Sequence, residues 1–193
     1  MKIDIVLAGV GGQGILTIST VIGLAAVNKN LYIKQSEVHG MSQRGGAVYA
    51  HLRFSDRPVA SDLIPLGKAD IVLSVEPMEA LRYVPYMKPD GWLVTNTEPF
   101  VNISNYPEHQ SLIDNLKKLK NCVLVDASDL ASECGSAKAS NMVILGAALP
   151  FINIEIHEIE KAIGSIFETK GEDIVDLNIR ALQAGYNFAK SRS

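Results

Sequence analysis

Cysteine is scarce in this chain: Cys122 and Cys134 are the only two among 193 residues. Neither has a CxxC or CxxH neighbourhood, which excludes a cysteine-built zinc site. An iron–sulfur cluster normally takes four thiolates, so this chain has too few to hold one alone. Cys122 opens the apolar run Val123-Leu124-Val125 and reads as a small buried side chain; Cys134, before Gly135, reads as part of an open loop. Long hydrophobic runs are missing as well. The stretch around Met142 to Phe151 reaches about half the length a bilayer demands. The chain begins on a strand-like run with no charged leader, which predicts a cytoplasmic protein without a signal peptide. Positive charge is not in excess either: the net charge is −3 and no basic run is interleaved with aromatics, which excludes a general nucleic-acid binder and leaves no membrane partner. His39 has no serine–acid partnership nearby that would mark a nucleophilic triad.

What is present is an ordinary globular composition, 47% apolar and 20% charged, long enough for one sizeable core and short for two. Ile3-Asp4-Ile5-Val6-Leu7-Ala8 reads as a buried parallel strand, followed at once by Gly9-Val10-Gly11-Gly12-Gln13-Gly14. A helical pattern then opens with Ile15, Leu16, Ile18, Val21, Ile22 and Ala25 on roughly one face. Strand, glycine-rich turn and helix together form the setting in which GxGxxG has meaning. In that reading Gly9 permits the tight turn, Gly11 lets backbone approach a ligand, and Gly14 lets helix pack on strand. The open amides and dipole of the helix make an anion site, typically for phosphate. A tight turn that binds nothing is the plain alternative, and the motif does not name the nucleotide.

A second glycine-bearing stretch, Glu37-Val38-His39-Gly40-Met41-Ser42-Gln43-Arg44-Gly45-Gly46, reads as a loop after a short strand at 31–35. Donors on backbone that can come close to a ligand are the usual make-up of a binding loop. Arg44 is placed to clamp a phosphate or carboxylate bidentately beside the Gly45-Gly46 amides, or else the glycines only satisfy turn geometry. Glu37 stands near the position of a ribose-gripping acid in a nicotinamide-binding unit, a weak match. His39 is titratable near neutrality or simply structural.

Downstream, Ala47 to Phe54 alternates, which predicts a half-exposed strand with Tyr49, His51 and Arg53 outward, and a hairpin onto a short strand near Val59-Ala60. Strands are expected at 69–75, 92–96 and 122–126, with Glu76-Pro77 starting a helix and Pro89-Asp90-Gly91 forming a turn. Asp126 ends a strand either as a functional group or as a helix cap. Helices are predicted at 111–120, at 140–149 with Pro150 as its end, and at 156–168 and 172–190. Asn141 caps its helix or reaches the site. His157, among Glu155, Glu158 and Glu160, reads as a solvent face rather than a metal site. The expected architecture is a single α/β domain over 1–193: three-layer α/β/α, Rossmann-like, with a mostly parallel sheet, an antiparallel hairpin and a helical C-terminus.

Two motifs together, Gly9-Val10-Gly11-Gly12-Gln13-Gly14 and the later His39-Gly40-Met41-Ser42-Gln43-Arg44-Gly45-Gly46, resemble the gamma-type domain of 2-oxoacid:ferredoxin oxidoreductases. Glu76-Pro77 and the run from Asn141 to Ala147 are similar too, so the resemblance spans nearly the whole chain. A free chain of this length looks most like the beta subunit of the indolepyruvate enzymes, with a pyruvate or ketoisovalerate gamma subunit also open. The resemblance implies a reaction that decarboxylates a 2-oxoacid on thiamine diphosphate and passes electrons through iron–sulfur clusters to ferredoxin, the acyl group leaving on coenzyme A. It implies that thiamine diphosphate, magnesium and the clusters sit on a partner alpha subunit, and that this chain is inactive alone. Its own part would be to complete the active site and share a coenzyme A site through Gly11, Gly12, Gln13 and Gly14, then Ser42, Gln43, Arg44 and Gly45, unless the second loop serves only as an interface. The residues read by themselves leave two further classes: a free-standing NAD(P)-dependent oxidoreductase, against which no YxxxK pair follows, and a non-enzymatic nucleotide-binding assembly subunit.

Overall fold

The computed structural model describes residues 1–39 and 45–191. The first strand, β1 (Lys2–Val10), is buried from Asp4 onward, so its sequence is a continuous apolar run rather than an alternation. Helix α1 (Ile15–Asn28) leads to β2 (Tyr32–His39), which returns as β3 (Ala47–Ser55). Then follow β4 (Ala69–Ser74), α2 (Pro77–Tyr83), β5 (Met87–Asn96), α3 (His109–Lys117), β6 (Cys122–Val125), α4 (Ala127–Glu133), α5 (Ser140–Ile152), α6 (Ile156–Phe167) and α7 (Glu172–Lys190). Among the described residues the strands form one sheet in the order β2-β3-β1-β4-β5-β6. Neighbours β1, β4, β5 and β6 are parallel, while β3 is antiparallel to both β1 and β2. The expected three-layer α/β/α arrangement is what forms. Helices α1 and α5 cover one face over Ile5, Leu7, Leu52 and Ile71, with α4, α6 and α7 outside them; α2 and α3 cover the other over Val6, Val72 and Leu93.

Several local expectations are corrected. The hairpin is β2–β3, not a pairing with residues near Val59-Ala60, which form no strand. The second strand runs on to His39, so Glu37 and Val38 are strand rather than loop. The face of β3 carrying His51 and Arg53 is buried, because the segment after β3 folds back over it. Arg53 Nη1 donates to the carbonyls of Ser61 (3.1 Å) and Leu63 (2.7 Å), and the Ile64 amide donates to His51 Nδ1 at 3.0 Å. Arg53 also grips Asp4 with two nitrogens, at 2.8 and 3.0 Å, across the β1–β3 register. With both side chains buried, removing Asp4 would leave the Arg53 guanidinium with backbone carbonyls alone, at a cost of about 3–5 kcal/mol, whereas Asp4 without Arg53 would keep its ion pair with Lys2 at 2.9 Å.

The turn expected at Pro89–Gly91 lies inside β5, where the ladder to β4 shifts register between Ala69 and Ile71. A bulge accommodates the donor that proline lacks. Pro150 does not end α5, which continues to Ile152 and stops at Asn153 in the left-handed region (φ 56°). Packing outweighs the lost hydrogen bond: Ile152 is fully buried, and Phe151 stacks on Trp92 with ring centroids 4.0 Å apart. Asp126 takes the capping option, its side chain accepting from the Asp129 amide at 3.3 Å at the start of α4. No described helix is long and apolar enough to cross a membrane.

Candidate functional site

Strand β1 connects to β2 on one side of the sheet, and β4 to β5 on the other, so the crossovers diverge between β1 and β4. At such a switch point a crevice opens beyond the carboxyl ends of the strands, which is where α/β sheets bind ligands. The glycine turn occupies it. Gln13 closes the turn: its amide donates to the Val10 carbonyl at 3.2 Å and its side-chain oxygen accepts from the Val10 amide at 2.9 Å. Gly14 is the N-cap of α1 in the left-handed region (φ 81°), and Gly12 is exposed at φ 101° with open space where a side chain would stand. The first turn of α1 carries no acidic residue and no side-chain cap, so its amides and dipole face outward unneutralised.

The glycines have exchanged the roles expected of them. Gly9 is still in β1, and a Cβ there would lie 2.4 Å from Val75 Cγ2 and 2.5 Å from Ile15 Cδ1. It is Gly9 that lets helix and strand pack, while Gly14 supplies the conformation of the turn. Gly11, expected to bring backbone to a ligand, spends its amide on the Gly46 carbonyl at 2.9 Å. That bond ties the second loop to the first. The Gly45 carbonyl accepts from Asn102 Nδ2 at 2.5 Å, so the end of the loop is held from two sides. Ser42, Gln43 and Arg44 lie outside the described residues, as does the side chain of His39.

Asn141 takes the reaching option: Nδ2 donates to the Gly14 carbonyl at 3.4 Å from the first turn of α5. It helps line a cleft of about 90 Å³ with Gln13, Asn96, Glu98, Ser128 and Ser140. Of these, Asn96 and Glu98 escape sequence reasoning, as does Glu76. Glu76 is fully buried, N-caps α2 through the Glu79 amide at 2.8 Å, and accepts from the Phe100 amide at 3.3 Å and from the Tyr106 hydroxyl. Burial, and after it the bond to Glu76, hold the Tyr106 hydroxyl well above the usual phenol range, so it stays a donor. An acid just before a proline reads only as a helix start, and no sequence signal marks it as an anchor for residues twenty or more positions away.

Two larger surface grooves lie on the helical side. One, about 610 Å³, is lined by Lys161, Glu168, Glu172 and Asp176; the other, about 570 Å³, runs from Thr17 and Asn141 to Lys138, Phe167 and Lys170. The first is far from the glycine turn in sequence and mixed in charge. The second reaches the opening turn of α1. Among the described residues no group of three or more His, Cys, Asp or Glu side chains is disposed to hold a metal ion. His157 pairs with Glu158 at 2.7 Å on an exposed face. Cys122 is half-buried, its thiol pushed up to about 12 by burial, and is therefore no nucleophile near neutrality.

The dinucleotide reading of Glu37 fails on topology. The strand beside β1 is β3, which places Val48 opposite Gly9, while Glu37, on β2 one strand further out, pairs with Ala50 of β3. At about 4.8 Å per strand that puts its backbone roughly 10 Å from β1.

The chain matches the pyruvate ferredoxin/flavodoxin oxidoreductase family over residues 4–188. It is 39% identical over 200 residues to the indolepyruvate oxidoreductase subunit IorB of Archaeoglobus fulgidus, covering 99% of this chain and 97% of that one. It is 28% identical to the pyruvate/ketoisovalerate oxidoreductases common subunit gamma of Pyrococcus furiosus, covering 95% of each. Its fold is similar to that of pyruvate oxidoreductase subunit PORC from Thermotoga maritima, with a TM-score of 0.73 at 24% identity over 96% of both chains. It also matches the 2-oxoglutarate:ferredoxin oxidoreductase of Magnetococcus marinus, a structure with 2-oxoglutarate, coenzyme A and succinyl-CoA bound, at a TM-score of 0.78 and 20% identity, spanning 32% of that longer chain. The last two likenesses speak for the fold alone. With the family matched across nearly its whole length and a relative well above 30% identical from end to end, this chain belongs to the pyruvate ferredoxin/flavodoxin oxidoreductase family.

Proposed function

We propose that this chain is the gamma-type, cluster-free subunit of a thiamine diphosphate-dependent 2-oxoacid:ferredoxin oxidoreductase, of the indolepyruvate class. In this reading it completes the active site and helps bind coenzyme A for oxidative decarboxylation to an acyl-CoA. The observation that carries the reading is the glycine turn at the switch point: an exposed helix N-terminus with no acid in its first turn, beside a cleft of only about 90 Å³. Small-molecule sites usually enclose about 300–1,000 Å³, so this is the edge of a site that a second chain must finish. The unneutralised dipole and amides suit an anionic, phosphate-bearing ligand, and Lys138 and Lys170 line the neighbouring groove. The relatives named IorB, at 39% identity against 28% for the pyruvate/ketoisovalerate gamma subunit, favour indolepyruvate as the acid.

Thiamine diphosphate, magnesium and iron–sulfur clusters do not fit the described side chains, which offer no metal-ligating cluster, and the chain has too few cysteines for a cluster. They are assigned to an alpha subunit partner, through which ferredoxin is reduced. The test is Arg44→Ala in the assembled enzyme. A KM for coenzyme A raised about tenfold, with the complex intact, supports the reading; unchanged kinetics in an intact complex overturns the loop's role. Turnover of the wild-type complex with a panel of 2-oxoacids names the substrate, and a preference for pyruvate over indolepyruvate would move the chain to the gamma branch.

A further inference from the structure

Residues 97–107, between β5 and α3, form no regular structure, yet they are pinned at every bend. The Thr97 amide donates to the Val125 carbonyl at 2.9 Å, and His109 Nε2 meets the Thr97 carbonyl at 2.8 Å. Buried Glu76 takes the Phe100 amide and the Tyr106 hydroxyl. Between these anchors the usual pattern is inverted: Phe100, Val101 and Ile103 are exposed, at 42%, 70% and 41%, while the amide of Asn102 turns inward. Its Nδ2 donates to the Gly45 carbonyl, and its Oδ1 is sealed from solvent with no hydrogen-bond partner among the described residues. A side chain serving packing alone would not leave an acceptor unpaired at that cost. The next carbonyl along, Gly46, receives the Gly11 amide. Asn102 thus sits at the head of a short relay: strap, Gly45, Gly46, Gly11.

We propose that Asn102 is a positioning residue, which through Gly45 and Gly46 sets the second loop against the glycine turn and so sets the affinity for the phosphate-bearing ligand. This rests on the coenzyme A reading above. It acts without touching the ligand, by holding the Gly45 carbonyl one residue before the Gly46 carbonyl that receives the Gly11 amide.

The test uses the complete complex with its partner subunit and two variants: Asn102→Asp, which keeps the shape but removes the donor, and Tyr106→Phe, which loosens the strap at its other end. Hydrogen exchange is read in peptides covering Gly11 and Gly45–Gly46, alongside steady-state kinetics. Exchange there should quicken in both variants. The KM for coenzyme A should rise roughly tenfold in Asn102→Asp and less in Tyr106→Phe, with kcat and the KM for the 2-oxoacid within twofold of wild type. A purely structural role would lower kcat and raise the KM for coenzyme A and for the 2-oxoacid alike. Unchanged exchange overturns the relay. Quickened exchange with an unchanged coenzyme A KM, while Arg44→Ala still raises it, overturns the positioning role and leaves the function standing. An unchanged KM in all three variants overturns the function, and the inference with it.

Discussion

Glu79 shows how a single side chain carries a pH dependence into the fold. Its carboxylate is buried beside that of Glu76, with Arg82 Nη2 at 3.5 Å from one oxygen and, among the described residues, no hydrogen-bond partner for the other. Burial raises its pKa above the ordinary 4.5, Arg82 opposes that rise, and Glu76 adds to it. Between 4.5 and the raised value the native state holds a proton that the unfolded chain has released. Stability from this group is therefore lost as pH rises through that window. Glu79→Gln, neutral throughout, lacks the slope. The melting temperature of wild type relative to Glu79→Gln should fall between pH 4.5 and pH 8, and parallel curves would show that the carboxylate does not titrate in the fold. The glycines teach a related lesson at this scale. Gly9 and Gly14 occupy the same motif, yet one is needed for the space around it and the other for its own backbone angle.

Among the elements, α5 and α7 make the tightest contact. A Cβ on Gly146 would lie 1.9 Å from the Leu182 carbonyl oxygen, and one on Gly185 would lie 1.9 Å from the Val143 carbonyl oxygen. The two glycines face each other's helix backbone, and backbone cannot rotate aside as a side chain can. The helices would have to part, opening gaps against the sheet that α5 covers. Gly185→Ala should therefore destabilise by about 3 kcal/mol, lowering the melting temperature by roughly 6–12 °C. Gly164→Ala in α6, where a Cβ meets nothing within 4 Å, should instead gain about 0.5–1 kcal/mol from helix propensity. Equal gains in the two variants would mean that propensity, and not the crossing, governs the helical layer. The β2–β3 hairpin matters in a different way. By entering antiparallel beside β1 it displaces β2 outward, and with it the acid a dinucleotide site would need.

At the scale of the whole molecule, the chain offers a shallow cleft, an open helix end and exposed apolar side chains at Phe100, Val101 and Ile103 on the strap that holds the second loop. On the proposed reading these belong to a larger assembly. The isolated chain should give no 2-oxoacid-dependent dye reduction with coenzyme A under anaerobic conditions, and activity should appear when it is mixed with its partner subunit and saturate at a fixed ratio. Turnover by the isolated chain, with NAD(P) or without it, would contradict the assignment.

Much of this was legible in the residues alone. The continuous apolar run of β1, the glycines behind it and the helical spacing after it are local patterns, and local patterns specify strand, turn and helix before any long-range contact forms. The two long C-terminal helices were readable for the same reason: α6 and α7 fall at 156–167 and 172–190 against expected 156–168 and 172–190. Family membership was equally a property of sequence, since the two loop motifs are contiguous strings. Long-range pairing was not readable. That His51 and Arg53 are buried depends on a segment folding back from further along the chain, and that α5 runs through Pro150 depends on what Phe151 and Ile152 bury against. Tertiary structure alone placed β3 between β1 and β2, gave Gly11's amide to Gly46, and brought Glu76, Tyr106 and Asn102 to bear on the second loop. Those contacts join residues between 30 and 57 positions apart in the chain, or rest on the sheet order that unites them, and no spacing pattern encodes them. Periodicity records which way a side chain faces within its own element; only the packed molecule decides what it meets there.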